Sequence, residues 1–131
     1  MLFDRVGGAD FFQRLAAQFY ASVRTDPVLL ALYPQPDDLD GATRRLALFL
    51  MQYWGGPTTY SDERGHPRLR MRHVAYPIDE AMRDRWLSHM NAALESCTSV
   101  LGKSDADRLS VDVMQEMREY FVRAADHLRN V

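Results

Sequence analysis

Apolar residues along this chain recur at the spacing of helices. After the breaker Gly7-Gly8, Phe11, Leu15, Phe19 and Val23 return every four residues. That predicts an amphipathic helix from about Ala9 to Arg24, with Tyr20 at the edge of its apolar face. Asp26-Pro27 is a helix start, and Pro34 two turns later keeps that helix short. Pro34 also pushes Tyr33 out of helical geometry. Gln35 to Leu39 reads as a loop, and Asp40 is expected to cap the next helix. There Ala42, Leu46, Phe49, Leu50 and Tyr53 form a broad apolar face that Gly55-Gly56-Pro57 ends sharply. Residues 57–68 are polar and read as irregular, and Leu69–His73 is long enough for about one helical turn.

Beyond Tyr76-Pro77, the residues Met82, Trp86 and Met90 recur every four and are continued by Ala93 and Cys97, with Asp79 and Glu80 at the positive end of that helix. Gly102-Lys103 makes a turn, and Ser104 with Asp107 is a weak capping box. Leu109, Val113, Met117, Tyr120, Ala124 and Leu128 then mark a final helix of about 24 residues. No alternating run bounded by hairpin turns is present. The expectation is an all-α fold, four substantial helices and two short ones, in a single domain over residues 1–131.

Composition narrows the chemistry. With 131 residues, 47% of them apolar, a core is affordable without a disulfide or metal staple. The net charge of −2 argues against a nucleic-acid partner. Lone Cys97 fits a reducing compartment. No apolar run approaches a membrane span and the start carries no signal-peptide pattern, so a cytoplasmic protein is expected.

Three groups of residues carry candidate chemistry. His73 ends the run Arg64-Gly65-His66-Pro67-Arg68-Leu69-Arg70-Met71-Arg72-His73. A lone histidine is most often structural or exposed, and no partner stands at zinc spacing; a haem, however, needs only one protein ligand. Its Nδ1–H would then need an acceptor, and the carbonyl of Leu69 is the natural one. The arginines 64, 68, 70 and 72, with Arg45, are either a solvated surface or an anion site. Tyr20, Tyr33 and Trp86 are either ordinary core aromatics or hydrogen-bond donors aimed at one bound ligand. No nucleophile–base pair, nucleophile elbow or phosphate-binding glycine loop stands out.

Val6-Gly7-Gly8, Phe19-Tyr20, Tyr33-Pro34, Gln52-Tyr53-Trp54-Gly55-Gly56-Pro57, the run from Arg64 to His73, and Trp86 resemble, in that order, the group II (O-type) truncated haemoglobins. The likeness spans roughly residues 3–128. It implies a truncated globin fold, a two-over-two helical sandwich around haem b (iron protoporphyrin IX). His73 would be the iron ligand. Tyr20, Tyr33 and Trp86 match the polar distal positions, and Ala42 stands where ordinary globins place a distal histidine. Leu46 and Phe49 match pocket walls. Arg45, Arg72 and Tyr60 match positions that meet the haem propionates, with His66 as a further candidate.

The resemblance implies binding of O₂ and other diatomic ligands such as NO and CO, with peroxide or sulfide as further candidates. Three distal donors imply tight O₂ binding and slow release. That favours a redox role, NO dioxygenation or peroxide reduction served by an unidentified reductase, over O₂ transport; O₂ sensing is also consistent. Whether the protein is an enzyme, and its oligomeric state, stay open at this point. The alternative is a haem-free helical sensor or adaptor that uses the central arginines to bind a partner.

Overall fold

The computed structural model describes residues 1–34, 36–99 and 111–131. All regular structure among them is helical: α1 (Leu2–Arg5), α2 (Ala9–Val23), α3 (Pro27–Leu30), α4 (Leu39–Tyr53), α5 (Thr59–Arg64), α6 (Leu69–His73), α7 (Glu80–Ser99) and α8 (Val111–Leu128). Helix α2 packs against both α4 and α7, and α7 packs against α8. These four helices form the two-over-two sandwich, as expected from the sequence. The expected turn and capping box at Gly102, Lys103, Ser104 and Asp107, and the start of the last helix at Leu109, lie outside the described residues.

The four-residue rhythm of α2 places Phe11, Leu15, Phe19 and Val23 in the core, but Phe12 and Ala16 are equally buried. A helix gripped from two sides needs an apolar arc wider than one stripe. Helix α3 begins as Asp26-Pro27 implied, with the Asp26 carboxylate accepting from the Val28 and Leu29 N–H groups at 3.2 Å each. The start of α4 differs from expectation. Leu39 is already helical, Asp38 holds the capping position without a side-chain bond, and Asp40 lies in the first turn, exposed and paired with Arg24 at 3.4 Å.

Two short helices go beyond the sequence reading, which assigns no element to residues 2–5 and reads 57–68 as irregular; the second is a correction. Helix α1 docks onto the end of α4, the Phe3 N–H donating to the Trp54 carbonyl at 3.0 Å. Its approach explains Gly56: a Cβ there would stand 2.6 Å from the Phe3 ring and 2.9 Å from the Met51 carbonyl oxygen. Helix α5 occupies 59–64 within the stretch read as irregular. Its apolar anchor is a single residue, buried Tyr60, and Gln52 of α4 holds it by accepting from the Ser61 N–H at 3.0 Å and donating to the Ser61 hydroxyl at 2.7 Å. One buried ring and a tertiary hydrogen-bond pair leave no periodic signal to read.

Helix α4 carries two apolar stripes. Leu39, Ala47, Leu50 and Met51 are in the core, whereas Ala42, Leu46 and Phe49 are only half-buried. Helix α7 divides along its length: Met90, Ala93, Leu94 and Cys97 are buried, but Met82 and Trp86 nearer its start are not fully covered. The half-buried sets wall a cavity.

Candidate functional site

A cavity of about 340 Å³ lies between the helices. Its walls are mostly apolar, among them Phe19, Leu46, Phe49, Met82, Phe121 and Leu128. His73 lines it, as do Tyr20, Tyr33, Ala42, Tyr60 and Trp86. Of the arginines, Arg45, Arg64, Arg72 and Arg83 reach it, and no carboxylate lines it among the described residues.

His73 ends the one-turn helix α6. Its Nδ1 stands 2.6 Å from the Leu69 carbonyl oxygen, the acceptor expected from the sequence. A carbonyl only accepts, so Nδ1 carries the proton and Nε2 is left with its lone pair. A histidine held in this way is arranged as a metal ligand whose tautomer is fixed by its neighbour. The segment leading to it is gripped by Arg72, whose Nε donates to the Pro67 carbonyl at 2.7 Å and whose Nη2 donates to the Arg64 carbonyl at 3.2 Å. Both bonds leave the guanidinium charge uncompensated.

Tyr20 comes from α2 and Tyr33 from the turn after α3; their rings meet edge-on at 5.7 Å and their hydroxyls share a hydrogen bond. Burial pushes the Tyr20 phenol up, opposed by the Tyr33 hydrogen bond and the nearby Arg45 charge. Burial pushes Tyr33 well above the usual phenol range, and Tyr20 adds to the effect. Both therefore stay protonated donors at neutral pH. Within the pair one hydroxyl donates to the other, so one O–H is left for a guest. Trp86, packed on Phe19 at 5.3 Å and Phe121 at 5.9 Å, lines the same cavity and carries an indole N–H donor.

The structure thus gathers His73, Tyr20, Tyr33, Trp86, Ala42, Leu46, Phe49, Tyr60, Arg45 and Arg72 around one space. His66 is not among the lining residues. It is exposed, and its Nδ1 accepts the Arg68 N–H at 3.1 Å. Arg83 escaped the sequence reading. It sits one turn before Trp86 with a side chain only 21% exposed, and its guanidinium is committed to Asp126 at 2.7 Å and Asp84 at 3.0 Å. Also missed was a polar cluster behind α3. There Asp26 accepts from Arg85 at 3.0 Å and from His89 Nε2 at 2.9 Å, and His89 Nδ1 meets the Ser22 hydroxyl. None of these four lines the cavity, so the chain of serine, histidine and aspartate is an anchor between α2, α3 and α7. These residues are spread from 22 to 89, and only the fold brings them together.

The donor set fits a haem. One imidazole nitrogen is free, the walls are apolar, and unopposed arginines accompany them to meet two propionate charges. Among the described residues no other grouping could hold a metal ion. A helical sandwich enclosing such a pocket is that of a small haem-binding globin. The bacterial-like globin family model matches residues 1–122, and the chain belongs to that family, among its group II truncated haemoglobins. It is 40% identical to the group 2 truncated hemoglobin YjbI of Bacillus subtilis over 88 residues, which are 67% of this chain and 65% of that protein. It is also similar to the thermostable hemoglobin of Thermobifida fusca, with 49% identity, a TM-score of 0.89, and coverage of 100% of this chain and 98% of that one. A truncated oxygen-avid haemoglobin from Bacillus subtilis superposes with a TM-score of 0.82 at 30% identity, over 98% of each chain.

Family membership makes haem the cofactor and haem-based binding of diatomic ligands the general function. The haem-free adaptor alternative falls with it, and three of its arginines, Arg45, Arg64 and Arg72, line the cavity. No helix among the described residues is long and apolar enough to cross a membrane.

Proposed function

We propose that this protein binds O₂ tightly on a haem held by His73, with Tyr20, Tyr33 and Trp86 as distal donors, and that its role is redox chemistry on a diatomic ligand or peroxide. The observation that carries this reading is the convergence of a tautomer-fixed histidine, the Tyr20–Tyr33 pair with one hydroxyl proton to spare, and Trp86 on one apolar cavity. The haem supplies the iron centre and its redox chemistry. The chain supplies the rest. His73 would hold the iron through Nε2. Arg45 and Arg72, with Tyr60, would hold the propionates. Leu46 and Phe49 keep water out, and Ala42 leaves a side entrance open.

The hydroxyl left over from the Tyr20–Tyr33 pair, and the Trp86 N–H, would donate hydrogen bonds to a diatomic ligand of partial negative charge, and so would slow its release. An oxygen-avid relative of the same fold supports this. Slow release suits delivery poorly, which favours NO dioxygenation or peroxide reduction with a separate reductase. Residence in the cytoplasm is part of the same proposal.

The test is O₂ dissociation from the ferrous protein, wild type against Trp86→Leu, alongside haem uptake by His73→Ala. Loss of one hydrogen bond to a charged partner should speed release by about ten- to a hundredfold. An unchanged rate would make Trp86 a packing residue only, and a histidine-ligated spectrum surviving in His73→Ala would remove the anchor.

A further inference from the structure

The turn after His73 has little packing to hold it. Met71 is 62% exposed and Val74 71% exposed, and regular structure resumes only at Glu80. The bonds on the upstream side of His73, to Leu69, Pro67 and Arg64, all stay within the neighbouring segment. The downstream side is tied to the residues just past α8, where the Val131 N–H donates to the Ile78 carbonyl at 3.3 Å and Asn130 makes the remaining bonds. The Asn130 Oδ1 accepts the Ile78 N–H at 2.9 Å, while Nδ2 donates to the carbonyls of Tyr76 at 2.8 Å and of His73 itself at 3.3 Å. Its backbone N–H adds a bond to the Ile78 carbonyl at 2.9 Å.

The side-chain amide admits one orientation here, because the flipped form would set its oxygen against two carbonyls. Ala124, Ala125 and Leu128 of α8 line the cavity, so the same helix that walls the pocket also sets where the His73 turn stands.

We propose that Asn130 is a positioning residue for His73, fixing the height and angle at which the imidazole is presented to the cavity. The proposal rests on His73 holding the haem iron. It assigns a role to a side chain that is not among those lining the cavity.

The experiment uses the haem-loaded protein as wild type, Asn130→Asp and Asn130→Ala. It reads the ferrous iron–histidine stretching band by resonance Raman and amide hydrogen exchange over residues 74–78. The aspartate keeps the acceptor for Ile78 but loses both donations, and sets a charge against the two carbonyls. The proposal expects a shifted or broadened band in both variants. It also expects Ile78 exchange about tenfold faster in the alanine variant, the size of effect that one net hydrogen bond produces. A wild-type band in both variants overturns the proposal even if exchange accelerates, because Asn130 would then hold the loop without setting His73. Unchanged exchange in Asn130→Ala overturns it as well. If the wild-type band survives His73→Ala, the ligand assignment itself is wrong and the proposal goes with it, while the exchange data still measure the tie on their own.

Discussion

Replacing Asp26 probes the anchor that joins α3 to α7. Its carboxylate is buried, at 8% exposure, and takes bonds from two backbone N–H groups, from Arg85 and from His89. The His89 bond, backed by the Leu29 N–H and Arg85 against the cost of burial, lowers its pKa from the ordinary 3.8 to about 2. A carboxyl lowered on folding stabilises the native state above its unfolded pKa and loses that contribution as pH falls through the folded value. The contribution is about 2 kcal/mol at neutral pH, about 1 kcal/mol at pH 3, and well under 1 kcal/mol by pH 2. Asp26→Ala also removes the cap of α3, a further loss of about 1 kcal/mol. Urea unfolding followed by circular dichroism should place the alanine variant about 3 kcal/mol below wild type at pH 7, with the gap between them narrowing toward pH 3. A gap that stays the same from pH 7 to pH 3, or that is under about 0.5 kcal/mol throughout, would refute the account of Asp26 as an ionised anchor.

One further substitution and one chemical modification test other parts of the structure. Gly56→Ala would push a methyl into the Phe3 ring and the Met51 carbonyl, and the carbonyl cannot move aside. It should lower stability by about 1–3 kcal/mol, measured by the same unfolding assay. Cys97 is fully buried and desolvation pushes its thiol up, with the Arg14 charge opposing. A thiol reagent should modify it only at the rate of unfolding, so modification of the folded protein at the rate of a free thiol would contradict its placement.

The long helices were legible because each buries one face over several turns, and a repeated face writes itself into the sequence. Helices α1 and α5 were not, at four and six residues. The first is fixed by docking against Trp54 and Gly56, the second by Gln52 reaching across to Ser61. Asp38 and Asp40 show the same limit at finer scale, because acids two residues apart are equally good caps until the tertiary position of α4 selects the register.

The site followed a similar division. Ala42, Leu46 and Phe49 read as ordinary apolar positions of α4, and periodicity alone could not separate a core stripe from a cavity wall. The difference lies in which neighbour the stripe faces. The family motifs drew attention to His73 and its partners, whose spacing is local, but they brought in His66 and carried no signal for Arg83. His66 shares the motif with His73, yet turns back to cap its own loop at Arg68. Arg83 lies outside the motif on α7, where its place one turn before Trp86 brings it to the cavity while Asp126 and Asp84 hold its charge. A guanidinium already committed to two carboxylates has little charge to offer a propionate. Under the proposed function, electrostatic recognition would therefore fall to the other lining arginines, Arg45, Arg64 and Arg72, while Arg83 is a half-buried wall residue whose head stays paired.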